Sequence, residues 1–182
     1  YVMKLGNESC AENIKNLNFI SEKVLVIRTQ VDNLLDFSIA GSQRPIELDA
    51  SMDVEYIFGD YLSDVCAQLM KSNYEVDAEG ISFKQVKVAV NMAFLTRIFS
   101  NLTDNIYKYA DNKKPVVMKT AFTKKIFSVE IGNGVCDNKT LLKSAGIGLK
   151  SVDAMMQRMN GSMSFKREHG KFWVKLEFPI VK

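Results

Sequence analysis

The chain has 182 residues, enough for one domain with a full core plus a short appendage and too few for a second large domain. Its hydrophobic fraction of 47% and charged fraction of 25% are those of an ordinary folded chain, which excludes wholesale disorder, and no apolar run reaches the roughly eighteen residues needed to cross a bilayer. The net charge of +3 is spread along the sequence, without the block of like charge that follows a phosphate backbone, so nucleic acid is not an expected partner.

Cys10, Cys66 and Cys136 show no CxxC spacing, so neither a disulfide framework nor a zinc site is expected, and a reducing cytoplasm suits them best. No signal peptide opens the chain. Tyr1 begins in mid-pattern, which reads as a fragment of something longer whose membrane anchor, if it has one, lies in the missing upstream part.

Tyr1–Leu5 reads as the end of a helix and Gly6-Asn7-Glu8-Ser9 as a turn. From Ile14 to Phe37 the apolar residues Ile14, Leu17, Ile20, Val24, Ile27, Val31, Leu34 and Leu35 recur at threes and fours, which predicts a long amphipathic helix. Its single apolar stripe must be covered by the following domain or by a second copy of itself. Gly41-Ser42-Gln43-Arg44-Pro45 marks a boundary.

Beyond it, Ile46–Leu48 reads as a short strand, and Asp49 or Ser51 as the cap of a helix carrying Val54, Ile57, Phe58, Tyr61, Leu62, Val65, Leu69 and Met70 on its apolar side. Tyr74–Val76, Ile81–Phe83 and Val86–Val90 read as strands bounded by Asp77-Ala78-Glu79-Gly80, and Met92–Ala110 as a second helix. Pro115–Phe122 and Ile126–Ile131 form a hairpin around Thr123-Lys124-Lys125. A third helix starts near Gly148 and stops at Asn160-Gly161, where glycine supplies a left-handed cap. A last hairpin joins Ser162–Phe165 to the alternating Phe172, Val174, Leu176 and Phe178 through Arg167-Glu168-His169-Gly170. Helices interleaved with strand hairpins predict an α+β sandwich rather than a parallel doubly wound fold.

Three features carry chemistry. On the second helix, at about 100° per residue, Asn101, Asn105 and Lys108 share one stripe at the rim of the apolar face formed by Leu95, Ile98, Phe99, Leu102 and Ile106. Asparagine is a poor helix former, so two of them one turn apart invite a use: an amide oxygen suits Mg²⁺, and a nearby lysine suits phosphate. Solvated helix-surface residues are the alternative. In Ser144-Ala145-Gly146-Ile147-Gly148-Leu149-Lys150, alternate glycines and the N–H groups of a helix start can cradle an anion, although a GxG also recurs wherever a loop turns tightly into a helix. Val129-Glu130-Ile131-Gly132-Asn133-Gly134 is a strand running into Asn-Gly, by itself a turn.

In this order the three resemble the N, G1 and G2 boxes of the ATPase domain shared by histidine kinases, gyrase and related chaperones. The resemblance covers nearly the whole chain. It implies a two-layer α/β sandwich of the Bergerat type, with a mixed sheet under three helices, over residues 46–182. Residues 1–41 are similar to the end of a dimerisation helical hairpin. It further implies ATP and Mg²⁺ as cofactors, with Asn105 as metal ligand, Asn101 near the phosphates, Lys108 on phosphate and Tyr109 walling the pocket. Asn133 and Gly134 stand at the base-reading box, and the backbone of Gly146, Ile147, Gly148 and Leu149 at the phosphates. The implied partners are a second copy through the N-terminal helix and a response regulator.

The chain departs from the family pattern at three places. Asn133 stands where an aspartate accepts from the adenine amino group, which implies weaker binding and is shared by short-lid, peptide-sensing members. Only Val135–Ala145 separates the two glycine boxes, so a long lid is missing. Ala145 replaces a hydroxyl residue. His169, the one histidine, lies in a turn, so the phospho-acceptor of such a kinase is expected upstream of Tyr1, and a single histidine rules out hydrolytic triads. The methionines of the third helix, Met155, Met156 and Met159, are expected to fill the core. The expected activity is transfer of the ATP γ-phosphate to a histidine on the dimerisation helices. The rivals are a degenerate interaction domain and an anti-sigma-type serine kinase.

Overall fold

In the computed structural model the protein is described over residues 46–135 and 147–181, and at scattered positions between 13 and 38. Those scattered positions are helical, and Leu17, Ile20, Val24, Ile27, Val31 and Leu34 among them are exposed. The expected turn at Gly6–Ser9, the helix end at Tyr1–Leu5 and the boundary at 41–45 lie outside the described residues. No helix among the described residues is long and apolar enough to cross a membrane.

The elements run β1 (Met52–Asp53), α1 (Val54–Lys71), β2 (Val76–Gly80), β3 (Lys87–Val88), α2 (Met92–Tyr109), β4 (Val116–Phe122), β5 (Ile126–Gly134), α3 (Ile147–Arg158), β6 (Ser162–Glu168) and β7 (Lys171–Val181). The strands form one sheet in the order β1-β3-β7-β5-β4-β2, with β6 also paired to β7. Every pairing is antiparallel except β2 with β4, so the sheet is mixed.

Register fixes which side chains share a face. Met118, Ile131, Val174 and Phe165 form one cross-strand row, and Thr120, Val129, Leu176 and Met163 form the next. Most of these are buried, whereas the opposite face carries Lys119, Glu130, Lys175 and Glu177. The three helices therefore cover one face. Phe58 of α1 is fully buried against Phe99, Phe127 and Phe178, with ring centroids 4.8 to 6.4 Å away. Burying one such side chain stabilises the fold by about 1.5–3 kcal/mol. Met155, Met156 and Met159 are buried in the same core, as expected.

The caps differ from expectation in instructive ways. Asp53, not Asp49 or Ser51, caps α1 by accepting from the Glu55 N–H at 3.0 Å. Residues 46–50 form no strand; the Asp49 N–H instead donates to the Val90 carbonyl, and this chain runs beside the start of α2. Asp77–Gly80, read as a turn, is part of β2, with a register shift that absorbs the irregularity. Ile81–Phe83 is no strand because the Thr120 hydroxyl takes over its backbone groups, accepting from the Ser82 N–H and donating to the Ser82 carbonyl. At the end of α3 it is Asn160 that is left-handed, with φ of 57°. Gly161 is needed for space instead, since a Cβ there would lie 2.6 Å from the Glu177 carbonyl oxygen. The β6–β7 turn narrows to His169-Gly170, both with positive φ, which is the two-residue turn that fits twisted strands.

Candidate functional site

Asn133 and Gly134 do not turn the chain. They continue β5 opposite Phe172 and Lys171 of β7, and Val135 then bridges to Ala110 just past α2. This extension brings the end of β5 under the second half of α2 and forms a cavity of about 330 Å³. Its floor is the same-face set Ile131, Asn133, Val174, Phe172, Phe165 and Arg167, which register places in adjoining rows. One wall is Leu102, Asn105, Ile106 and Tyr109 of α2, spaced at threes and fours so that they form one stripe. Leu149, in the first turn of α3, closes a corner.

The helix stripe expected from sequence is divided between two surroundings. Asn105 lines the cavity, as does Tyr109. Asn101 lies one turn earlier, 8% exposed, beside the start of α3: a Cβ built on Gly148 would be 3.7 Å from its Oδ1. Lys108 is exposed and does not line the cavity. Asn133 lines it while buried, and its Nδ2 donates to the Gly134 carbonyl at 2.9 Å. That carbonyl also accepts from the Asp111 N–H at 2.9 Å, so Asn133 belongs to a junction between β5 and the end of α2. Gly134 itself is off the cavity and packs against the Lys114 side chain. Gly146 lies outside the described residues, and of Ile147 only the helical backbone is described. Gly148 and Leu149 are in place at the helix start.

The apolar character of the cavity was not read from the sequence. Phe165 and Phe172, with ring centroids 5.8 Å apart, stand on neighbouring strands, and Phe165 is 59% exposed. The clean alternation of β7 signals that Phe172 and Val174 share a face; what they face depends on the long-range pairing of β7 with β5. Among the described residues no carboxylate lines the cavity. Lys166 and Arg167 bring positive charge to its β6 side, and a hydrogen bond to the Glu168 carboxylate at 2.7 Å holds Lys166 above the ordinary lysine range. Among the described residues no group of three or more His, Cys, Asp and Glu could hold a metal ion. The Asn105 side chain offers a cation a neutral amide oxygen and no charge. His169 is solvent-exposed in its turn.

Residues 90–179 match the GHKL domain family. The sensor histidine kinase YrkQ of Bacillus subtilis (strain 168) is 25% identical over 178 residues, covering 98% of this chain and 41% of that protein. The chain thus spans about two fifths of this curated relative. The Acinetobacter baumannii histidine kinase AdeS superposes with a TM-score of 0.66 at 15% identity, covering 87% of this chain and 81% of that one. The catalytic domain of histidine kinase ThkA superposes at 0.59 with 11% identity, covering 74% of this chain and 97% of that one. The match to the GHKL domain runs from just before α2 into β7, and the fold of the chain is that of solved histidine kinase catalytic domains.

Proposed function

We propose that this domain binds Mg·ATP and serves as the catalytic part of a two-component sensor histidine kinase. The carrying observation is that Asn105 and Asn133, from α2 and β5, line one apolar cavity at the start of α3. The apolar floor suits a purine base. With Nδ2 of Asn133 engaged by Gly134, its Oδ1 is the atom to accept from an exocyclic amino group. Leu102, Ile106, Ile131 and Val174 exclude water from the base, and Tyr109 walls it in. Asn101 and the backbone of residues 147–149 lie on the phosphate side, where the first-turn N–H groups of α3 favour an anion. Lys108 reaches the phosphates from the exposed side of α2. Asn105 is the one metal ligand we assign. Mg²⁺, bound with the nucleotide, supplies neutralisation of phosphate charge.

In this reading residues 46–182 are the catalytic domain and residues 1–41 belong to a dimerisation hairpin. The exposed Leu17, Ile20, Val24, Ile27, Val31 and Leu34 support this, being an apolar set that a second copy would cover. The phospho-acceptor is a histidine outside these 182 residues, since His169 sits in the exposed turn of the β6–β7 hairpin. A response regulator receives the phosphoryl group from it, and the domain works in the cytoplasm of a membrane-anchored protein. The chemistry left to the domain is positioning and charge stabilisation.

The test mixes this chain with a separately made dimerisation hairpin from its own full-length protein, together with Mg·ATP labelled at the γ-phosphate. Acid-labile, base-stable label on the hairpin is expected, and none on this chain alone. Label on a serine or threonine of this chain would refute the reading.

A further inference from the structure

The first turn of α2 is tied to the chain that enters the domain. The Asp49 N–H donates to the Val90 carbonyl at 2.8 Å, and Asp49 Oδ2 accepts from the Met92 N–H at 2.8 Å. The next residue along, Asn91, accepts from the Phe94 N–H at 3.0 Å through Oδ1, and its Nδ2 donates to the Glu47 carbonyl at 3.1 Å. Two acceptors therefore serve one helix start, and only Asn91 is local to it. The first turn of α2 has no acidic residue of its own, so Asp49, 43 positions before Met92, brings a negative charge to the positive end of the helix.

The same node reaches the other two helices. The Met92 carbonyl accepts from the Tyr61 hydroxyl of α1 at 3.2 Å, and the Asn91 N–H contacts Met159 Sδ, just past α3, at 3.3 Å. From this node α2 runs as one uninterrupted helix to Asn105 and Tyr109. At about 1.5 Å per residue, Asn105 stands roughly 20 Å along the axis. A hydrogen-bonded helix transmits a shift of its first turn along its length.

We propose that Asp49 is a positioning residue: it fastens the segment entering the domain to α2 and so sets where Asn105 and Tyr109 stand in the cavity. The proposal rests on reading that cavity as a nucleotide site. Asn91 alone would suffice if a cap were all that α2 required; the bond from Asn91 to Glu47 and the two from Asp49 instead bind the entering chain.

The test uses the 182-residue chain with Asp49→Ala, Asp49→Asn and Asn91→Ser. Asparagine keeps an oxygen for the Met92 N–H, and serine keeps a cap for Phe94 but cannot reach Glu47. Two readouts are taken: NMR shifts of the Asn105 and Tyr109 amides, including the Asn105 side-chain amide, without ligand, and affinity for Mg·AMPPNP. Asp49→Ala is expected to move those shifts and to weaken binding by about threefold to tenfold, the range corresponding to a lost cap. Asn91→Ser is expected to move the same resonances, and Asp49→Asn to restore most of the wild-type pattern. Shift changes confined to residues 92–96, with Asn105, Tyr109 and affinity unchanged, would overturn the proposal. If Asp49→Ala does not fold, Asn91→Ser decides in the same way. Absence of nucleotide binding by the wild-type chain would refute the nucleotide reading alone, because the ligand-free shifts still decide whether Asp49 positions α2.

Discussion

Asn133 is held by its own amide, whose Nδ2 donates to the Gly134 carbonyl in a buried stretch of β5. Read as sequence, the position is an aspartate that has lost its charge. In the structure the nitrogen has a task no carboxylate can take over, because a second oxygen there would face the Gly134 carbonyl oxygen. Asn133→Asp is therefore expected to lower stability by about 1–3 kcal/mol, the cost of leaving a buried polar group without its partner. Urea unfolding measures this. An unchanged midpoint and slope would show that the Nδ2 bond contributes nothing, and that the family's usual acid could be restored freely.

At the scale of elements, α3 makes stability and binding move in opposite directions. Gly148 is its second residue, and among the described residues an alanine there would meet Asn101 Oδ1 alone, at an ordinary contact distance of 3.7 Å. Gly148→Ala should thus stabilise the helix by about 0.5–1 kcal/mol, the usual difference within a helix. If phosphate approaches the backbone of this turn, the added methyl occupies that approach, and affinity for Mg·AMPPNP should fall by about tenfold or more, or ~1.4 kcal/mol. Thermal unfolding and calorimetry on one preparation give both. A variant that is more stable and binds as well as wild type would remove the phosphates from this turn. The elements legible in the sequence were those with long periodic runs: α1, α2 and α3, and the β4–β5 and β6–β7 hairpins. The short strands were misread because their pairing is decided elsewhere. Thr120 satisfies the Ser82 backbone, which ends any strand at Ile81–Phe83. The Val90 carbonyl accepts from the Asp49 N–H, and this tie runs beside α2 instead of forming a strand at residues 46–48.

At the scale of the molecule, the two-layer arrangement was legible because helical and alternating patterns interleave in the sequence, whereas the cavity was legible only in part. Asn105, Tyr109, Asn133 and Leu149 were found through local motifs and their order. Phe165, Phe172, Ile131 and Val174 join them only once β7 is laid between β5 and β6, a contact between distant parts of the chain. Among the described residues no carboxylate lines the cavity, and metal is expected to bind together with nucleotide, whose phosphates supply the anionic oxygens. The most direct measurement is a calorimetric titration of the wild-type chain and of Asn105→Ala with AMPPNP, each in Mg²⁺ and in EDTA. The account expects wild type to bind at least about tenfold more tightly in Mg²⁺, a difference of ~1.4 kcal/mol that Asn105→Ala abolishes. No binding by wild type at millimolar nucleotide, or equal Mg²⁺-dependence in the two proteins, would contradict it.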